Sequence, residues 1–185
     1  MPIFQGFTSP RFQQHDALIK KLVKEFNNNK SVFISGSAAQ AAKIPDLSEE
    51  LIKSWLIEIS GGNDACSLAA WEVDPAQVNL PAEWSVYKQS TGLTIPQKRN
   101  EGTVEQNLRA AIIWLARKGF GDSGQPPASR QRATFDGWQV AIQRYNTRKD
   151  APKKAKLYSQ EHSQHIVNRI ITPSKYVPIK YPRGL

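Results

Sequence analysis

Glu58 is the residue in this 185-residue chain best placed to move a proton. It sits in Leu51-Ile-Lys-Ser-Trp-Leu-Ile-Glu-Ile-Ser-Gly-Gly62, which reads as a helix running into two glycines. Helical spacing sets Leu51, Trp55 and Glu58 on one apolar stripe. A carboxyl group on such a face loses hydration, which disfavours its charged form and raises its pKa. A carboxylic acid that stays protonated near neutral pH can serve as a general acid. The competing reading is a helix-end glutamate that reaches solvent. Asp64, Glu72 and Asp74 follow in an irregular stretch and are candidates for a second carboxylate, with turn and cap roles as the alternative.

Other chemistries find little footing. Cys66 is the single cysteine, so it can form no intrachain disulfide, and the three histidines build no cysteine–histidine metal cluster with it. His162 and His165 read as surface or packing residues. Neither a phosphate-binding Gly-x-x-x-x-Gly-Lys loop nor a Gly-x-Ser-x-Gly elbow occurs. No metal and no cofactor is expected.

The elements that must position Glu58 are mostly helical. An amphipathic helix is predicted over 13–28, with Leu18, Ile19, Leu22, Val23 and Phe26 inward and the asparagines 27–29 as its stop. Residues 31–34 allow a short strand, and Ser37 can cap a small helix through Lys43. Asp46 and Glu49 have the form of a capping box that opens the Glu58 helix, and Gly61 and Gly62 suit a left-handed stop. Between Asn63 and Arg99 no helical period persists, apart from one short helix near 81–87. Thr103 and Gln106 form a second capping box before a stripe of Val104, Leu108, Ala111, Ile112 and Leu115, ended at Lys118-Gly119. After a Gly/Pro/Ser loop over 121–129, a helix is predicted over 134–145, with Phe135, Trp138, Ala141, Ile142 and Tyr145 inward. A last helix is predicted over 159–171. Trp71 and Trp84 are candidate stacking faces, whereas Trp55, Trp114 and Trp138 have core spacing.

Charge is segregated along the chain. From Ala141 to Leu185 ten Lys and Arg face two acids, a balance of +8 that leaves +1 for residues 1–140. Such a segment suits an anionic polymer, whether nucleic acid, acidic lipid or wall glycan, or simply a solvated surface. Residues 1–10 have neither the basic start nor the apolar run of a signal peptide, and no stretch approaches a membrane span. Synthesis in the cytoplasm is the expectation.

Three short stretches then fall in order: Glu58-Ile-Ser-Gly-Gly62, Asp74-Pro-Ala-Gln-Val-Asn79 and Ala141-Ile-Gln-Arg-Tyr-Asn146. This pattern, over roughly residues 47–169, resembles the goose-type lysozyme and lytic transglycosylase group of the lysozyme-like superfamily. It looks most like modules from phages and type VI secretion effectors. In that group a catalytic Glu ends a helix before Ser-Gly, a Met-Gln-Ile or Met-Gln-Val segment follows, and a later helix carries Ala-x-x-x-Tyr-Asn. Here Ile59 separates Glu58 from Ser60, Ala76 replaces the Met, Asp74-Pro75 replaces Gly-Leu, and Thr147 replaces a glycine after Asn146.

The resemblance implies a mainly α fold of the α+β lysozyme-like kind, a helical domain whose long irregular segment forms a cleft. Residues 1–172 would be one domain with an N-terminal helical extension, and 173–185 a basic, proline-containing tail. It implies peptidoglycan glycan-strand cleavage by a muramidase or lytic transglycosylase, with Glu58 catalytic and Ser60, Gln77, Asn79, Tyr145 and Asn146 binding substrate. The partner is then peptidoglycan, reached in the periplasm or at the cell wall after delivery by a secretion apparatus or a phage lysis system. An antibacterial effector would also have an immunity protein. The rival readings are a basic nucleic-acid-binding protein and an inactive lysozyme-like interaction protein.

Overall fold

Helix α5 (Glu49–Ser60) runs through the middle of the core, and almost every side chain on it is buried. The computed structural model describes residue 3, residues 10–61, 64–84, 86–121 and 134–146, and positions 164, 166 and 168. The other elements, in order, are α1 (Pro10–Gln13), α2 (Asp16–Asn28), α3 (Lys30–Ile34), α4 (Ala38–Ala41), α6 (Ala65–Val73), α7 (Val86–Gln89), α8 (Val104–Gly119) and α9 (Trp138–Asn146). A 3-10 turn covers Pro81–Glu83. The described residues are mainly helical and contain no strand.

Helix α2 lies against both α5 and α8, α6 packs on α5, and α9 runs along α8. Ile19, Leu22 and Phe26 from α2 meet Ile52, Trp55 and Leu56 from α5, with Leu108, Ile112 and Leu115 from α8 and Ile142 from α9. A helix enclosed on all sides must also satisfy its polar side chains. Lys53 is wholly buried and pairs with Asp16 at 2.8 Å, while the Ser54 hydroxyl donates to the Ile166 carbonyl at 3.1 Å. The Asp16 carboxylate also accepts the Ile3 N–H at 2.9 Å, which places Ile3 beside this ion pair.

Several elements differ from their sequence expectations. Residues 31–34 are helical, because α3 can then bury Phe33 and Ile34, and this packing outweighs the β preference of Val-Phe-Ile. Ser37 does cap α4, in a capping box with Gln40, but the helix stops at Ala41. The N-cap of α5 is Ser48, whose hydroxyl accepts the Leu51 N–H, and Asp46 instead pairs with Lys30. The Thr103–Gln106 capping box forms as expected. Helix α6 occupies a stretch expected to be irregular: the Ala65–Val73 run has little sidedness, and Asp64 starts it by accepting the Cys66 and Ser67 N–H groups.

Two glycines act through space instead of handedness. Gly61 has φ −78°, a right-handed helical value, and a Cβ there would stand 2.2 Å from the Ile57 carbonyl oxygen. Gly119 is the last residue of α8, which ends where expected, and a Cβ there would meet the Phe135 ring at 2.0 Å, so the glycine admits a close approach. Phe135 itself precedes α9, which begins only at Trp138. Gly62, most of the 121–129 loop, most of the 159–171 helix and the 173–185 tail lie outside the described residues, as do His162 and His165.

Arg11 and Phe12 of α1, together with His15, pack against α6 at Trp71. Trp71 is fully buried, edge-on to Phe12 and tilted against His15, and its indole N–H donates to the Arg11 carbonyl at 2.9 Å. It therefore has no face for a sugar, contrary to expectation. Trp114 is only partly buried, under Lys118, where core packing was expected. Trp84 is only partly buried.

The buried His15 ring donates from Nε2 to the Trp71 carbonyl at 2.7 Å. Burial lowers its pKa below the ordinary 6.5, against the raising effects of that hydrogen bond and of the Glu72 and Asp16 charges. As pH falls below about 6.5, the unfolded chain takes up the His15 proton first, so stability is lost toward acid. Urea unfolding at about pH 7.5 and about pH 5 should show a larger acid loss for the wild type than for His15→Gln. Equal losses would remove His15 as the cause. Asp74 titrates in both proteins and cancels in the difference.

Candidate active site

The last turn of α5 carries Glu58, which is 9% exposed. Two residues on, Ser60 is fully buried, and its hydroxyl donates to the Pro75 carbonyl at 2.6 Å. Gln77 donates from Nε2 to the Ile59 carbonyl at 3.3 Å. Tyr145, on α9, donates its hydroxyl to the Ala76 carbonyl at 3.0 Å, with its ring edge-on to Trp55 at 4.8 Å. The three sequence stretches thus meet: the 74–79 turn is stitched to the end of α5 from one side and to α9 from the other.

The turn is held from inside by Asp74. Its carboxylate is fully buried and accepts the Val78 and Asn79 N–H groups at 3.0 and 2.9 Å. Burial raises its pKa, opposed by those two hydrogen bonds and by the charges of Lys88 and Arg99. Lys88, also buried, donates to the Val78 carbonyl at 2.6 Å, and desolvation lowers its pKa against the charges of Glu83 and Asp74. Gln77 adopts a left-handed backbone with φ +51°, unusual for a residue with a side chain. The hydrogen bonds on either side of it over-determine that conformation.

Asn79 turns inward. It is buried, and its Nδ2 donates to the Glu101 carbonyl at 3.3 Å, where Asn107 Nδ2 also donates at 3.1 Å. Asn107 further ties α8 to the end of α6 through the Val73 carbonyl at 2.9 Å. Asn146 ends α9, and its Nδ2 is buried without a hydrogen-bond partner. Among the carboxylates considered beside Glu58, Asp64 caps α6, Asp74 cages its turn, and Glu72 accepts from Gln14 Nε2 at 2.7 Å on the surface.

Ser60 and Asn79 therefore act as scaffold for the turn, with their side-chain bonds directed to backbone carbonyls. Burial holds the Tyr145 phenol well above its ordinary pKa, reinforced by the Asp74 and Glu83 charges, so it stays a donor. Tyr145→Phe keeps the ring on Trp55 but leaves the Ala76 carbonyl without its donor. It should cost about 1–2 kcal/mol in urea unfolding, and an unchanged midpoint would show that the bond is not maintained in solution.

Three contributors escaped sequence reasoning. Arg11 reaches across 49 residues to donate to the Ser60 carbonyl at 3.0 Å, in the turn bearing Glu58. Arg99 donates to Gln77 Oε1 at 3.2 Å, and Lys88 supports the turn from below. None has a local spacing signal. Asp74 had one, since an Asp before Pro with free N–H groups four and five residues on suits a closed turn.

A groove of about 580 Å³ lies elsewhere, at the opposite end of α5, lined by residues such as Val23, Asn27, Leu47 and Glu50. Among the described residues no group of acidic, histidine or cysteine side chains could hold a metal ion, and no helix is long and apolar enough to cross a membrane. Set beside known protein families, curated proteins and solved structures, the chain matches none of them.

Proposed function

We propose that this chain cleaves peptidoglycan glycan strands between MurNAc and GlcNAc, with Glu58 as the acid and then the base. One observation carries the reading. The stretches around Glu58, Gln77 and Tyr145, far apart in sequence, meet at the 74–79 turn, which bonds to the last turn of α5 through Ser60–Pro75 and Gln77–Ile59 and to α9 through Tyr145–Ala76. A catalytic carboxylate needs a wall that fixes the substrate against it, and the stitched 74–79 turn supplies a rigid one.

Glu58 gives its proton to the glycosidic oxygen as the C1–O bond breaks, then accepts a proton from the attacking nucleophile. Asp64 and Asp74 are engaged in cap and turn, which favours the route needing one carboxylate. On that route the 6-hydroxyl of the same sugar attacks C1 and passes its proton to Glu58, leaving a 1,6-anhydro end. The further role of an antibacterial effector or phage-type lysin, with a delivery partner and an immunity protein, rests on the sequence resemblance.

Digestion of purified peptidoglycan, read by mass spectrometry of the released muropeptides, tests the reading. Anhydro products support the single-carboxylate route, and reducing ends would indicate hydrolysis instead. No release, with salt-sensitive binding to DNA or RNA, would replace it with a nucleic-acid function. No release and no nucleic-acid binding would leave an inactive interaction protein. Of the basic residues from 141 onward, only Arg144 is described, and it is paired with Asp136.

A further inference from the structure

Beside the turn that bears Glu58 stands an oriented cation that the three sequence stretches do not include. Arg99 is exposed on the 97–101 loop, yet it is docked: Nη2 donates to Gln77 Oε1, and Gln77 in turn donates to the Ile59 carbonyl next to Glu58. The loop beneath it is built. Glu101 accepts the Gln97 and Lys98 N–H groups at 2.5 and 3.2 Å, its own carbonyl receives Asn79 and Asn107, and Asn100 takes a left-handed φ of +61°. Among the described residues Arg99 makes no ion pair. The buried Asp74, which feels its charge, is already occupied by two backbone N–H groups and faces Lys88 as well.

A guanidinium has five donors in a planar fork, and one bond to Gln77 leaves most of them available. Free arginines on a surface lose rotamer entropy when they bind. One already docked loses less, and its fork matches a carboxylate with two parallel hydrogen bonds. We propose that Arg99 is a specificity-determining residue that binds a carboxylate carried on the glycan strand, so that acidic wall glycan is preferred over neutral polymers of N-acetylglucosamine. The inference rests on the glycan-cleaving reading of the Glu58 site. Two sources share this chemistry, the lactyl carboxylate of MurNAc and the carboxylates of its peptide stem.

The test uses the full chain bearing Glu58→Gln, so that strands are bound and not consumed. Calorimetric affinities are compared for a neutral N-acetylglucosamine oligomer, for strands stripped of peptides by an amidase, which frees the lactyl carboxylate, and for stem-bearing strands. Adding Arg99→Gln should weaken binding of the carboxylate-bearing strands roughly tenfold and leave the neutral oligomer unchanged, with Arg99→Lys recovering part of the loss. Whichever acidic strand responds identifies the source. An equal loss on acidic and neutral glycans, or no loss on either, would overturn the assignment of Arg99 while leaving the Glu58 reading intact. Absence of binding to every glycan would overturn both. Arg99-dependent discrimination in a protein whose wild type releases no muropeptides would sink cleavage and uphold the carboxylate site.

Discussion

Glu58→Gln will leave a folded protein that releases muropeptides at least roughly a thousandfold more slowly than the wild type. The substitution is nearly isosteric and keeps polar atoms on the last turn of α5, where the side chain is 9% exposed. It removes the one property the chemistry needs, a proton that can leave and return. The neighbouring stitches do not involve this carboxylate: Ser60 to Pro75, Gln77 to Ile59 and Tyr145 to Ala76 all end on backbone carbonyls. An unchanged circular dichroism spectrum should accompany the loss of activity. Muropeptide release that survives the substitution would remove Glu58 from the mechanism, whatever the products are.

Asp16→Ala has the largest expected effect on stability, a loss of about 3–5 kcal/mol. Lys53 has no exposed side-chain surface and its ammonium lies 2.8 Å from the Asp16 carboxylate, so truncating the acid removes an opposite charge from inside the core. The same change removes the acceptor of the Ile3 N–H. In a domain of this size the melting temperature should drop by roughly 10 °C. The double substitution Asp16→Leu with Lys53→Met should recover most of that loss, because a buried ion pair is readily replaced by apolar groups of similar volume. A single-mutant loss under about 1 kcal/mol would mean that water reaches Lys53. Lys53 shares α5 with Glu58, so the variant also tests how firmly the core holds the site helix.

Local rules accounted for much of the helical framework. Helices α2 and α8 were legible from apolar residues three and four apart, and the Thr103–Gln106 cap from its spacing. The same rules failed where short segments answered to their surroundings. Val32, Phe33 and Ile34 favour strand in isolation, yet a helical turn buries Phe33 and Ile34. Helix α6 lacks a one-sided pattern because it is apolar nearly all round, so periodicity could not separate it from loop. Asp46 was the expected cap for α5, but it pairs with Lys30 while Ser48 takes the N-cap position.

The sequence by itself determined a mainly helical chain, the helix carrying Glu58, and three short stretches in a suggestive order. Only tertiary structure decided that those stretches touch, that Trp71 is sealed in the core, and that Ser60 and Asn79 face protein. The reason is physical. Helix periodicity arises from neighbours three and four residues apart, so it is written locally. The bonds that assemble the site span 15 residues from Ser60 to Pro75, 18 from Gln77 to Ile59 and 69 from Tyr145 to Ala76. Each ends on a backbone carbonyl, which every residue possesses, and so leaves no mark in the identity of its partner.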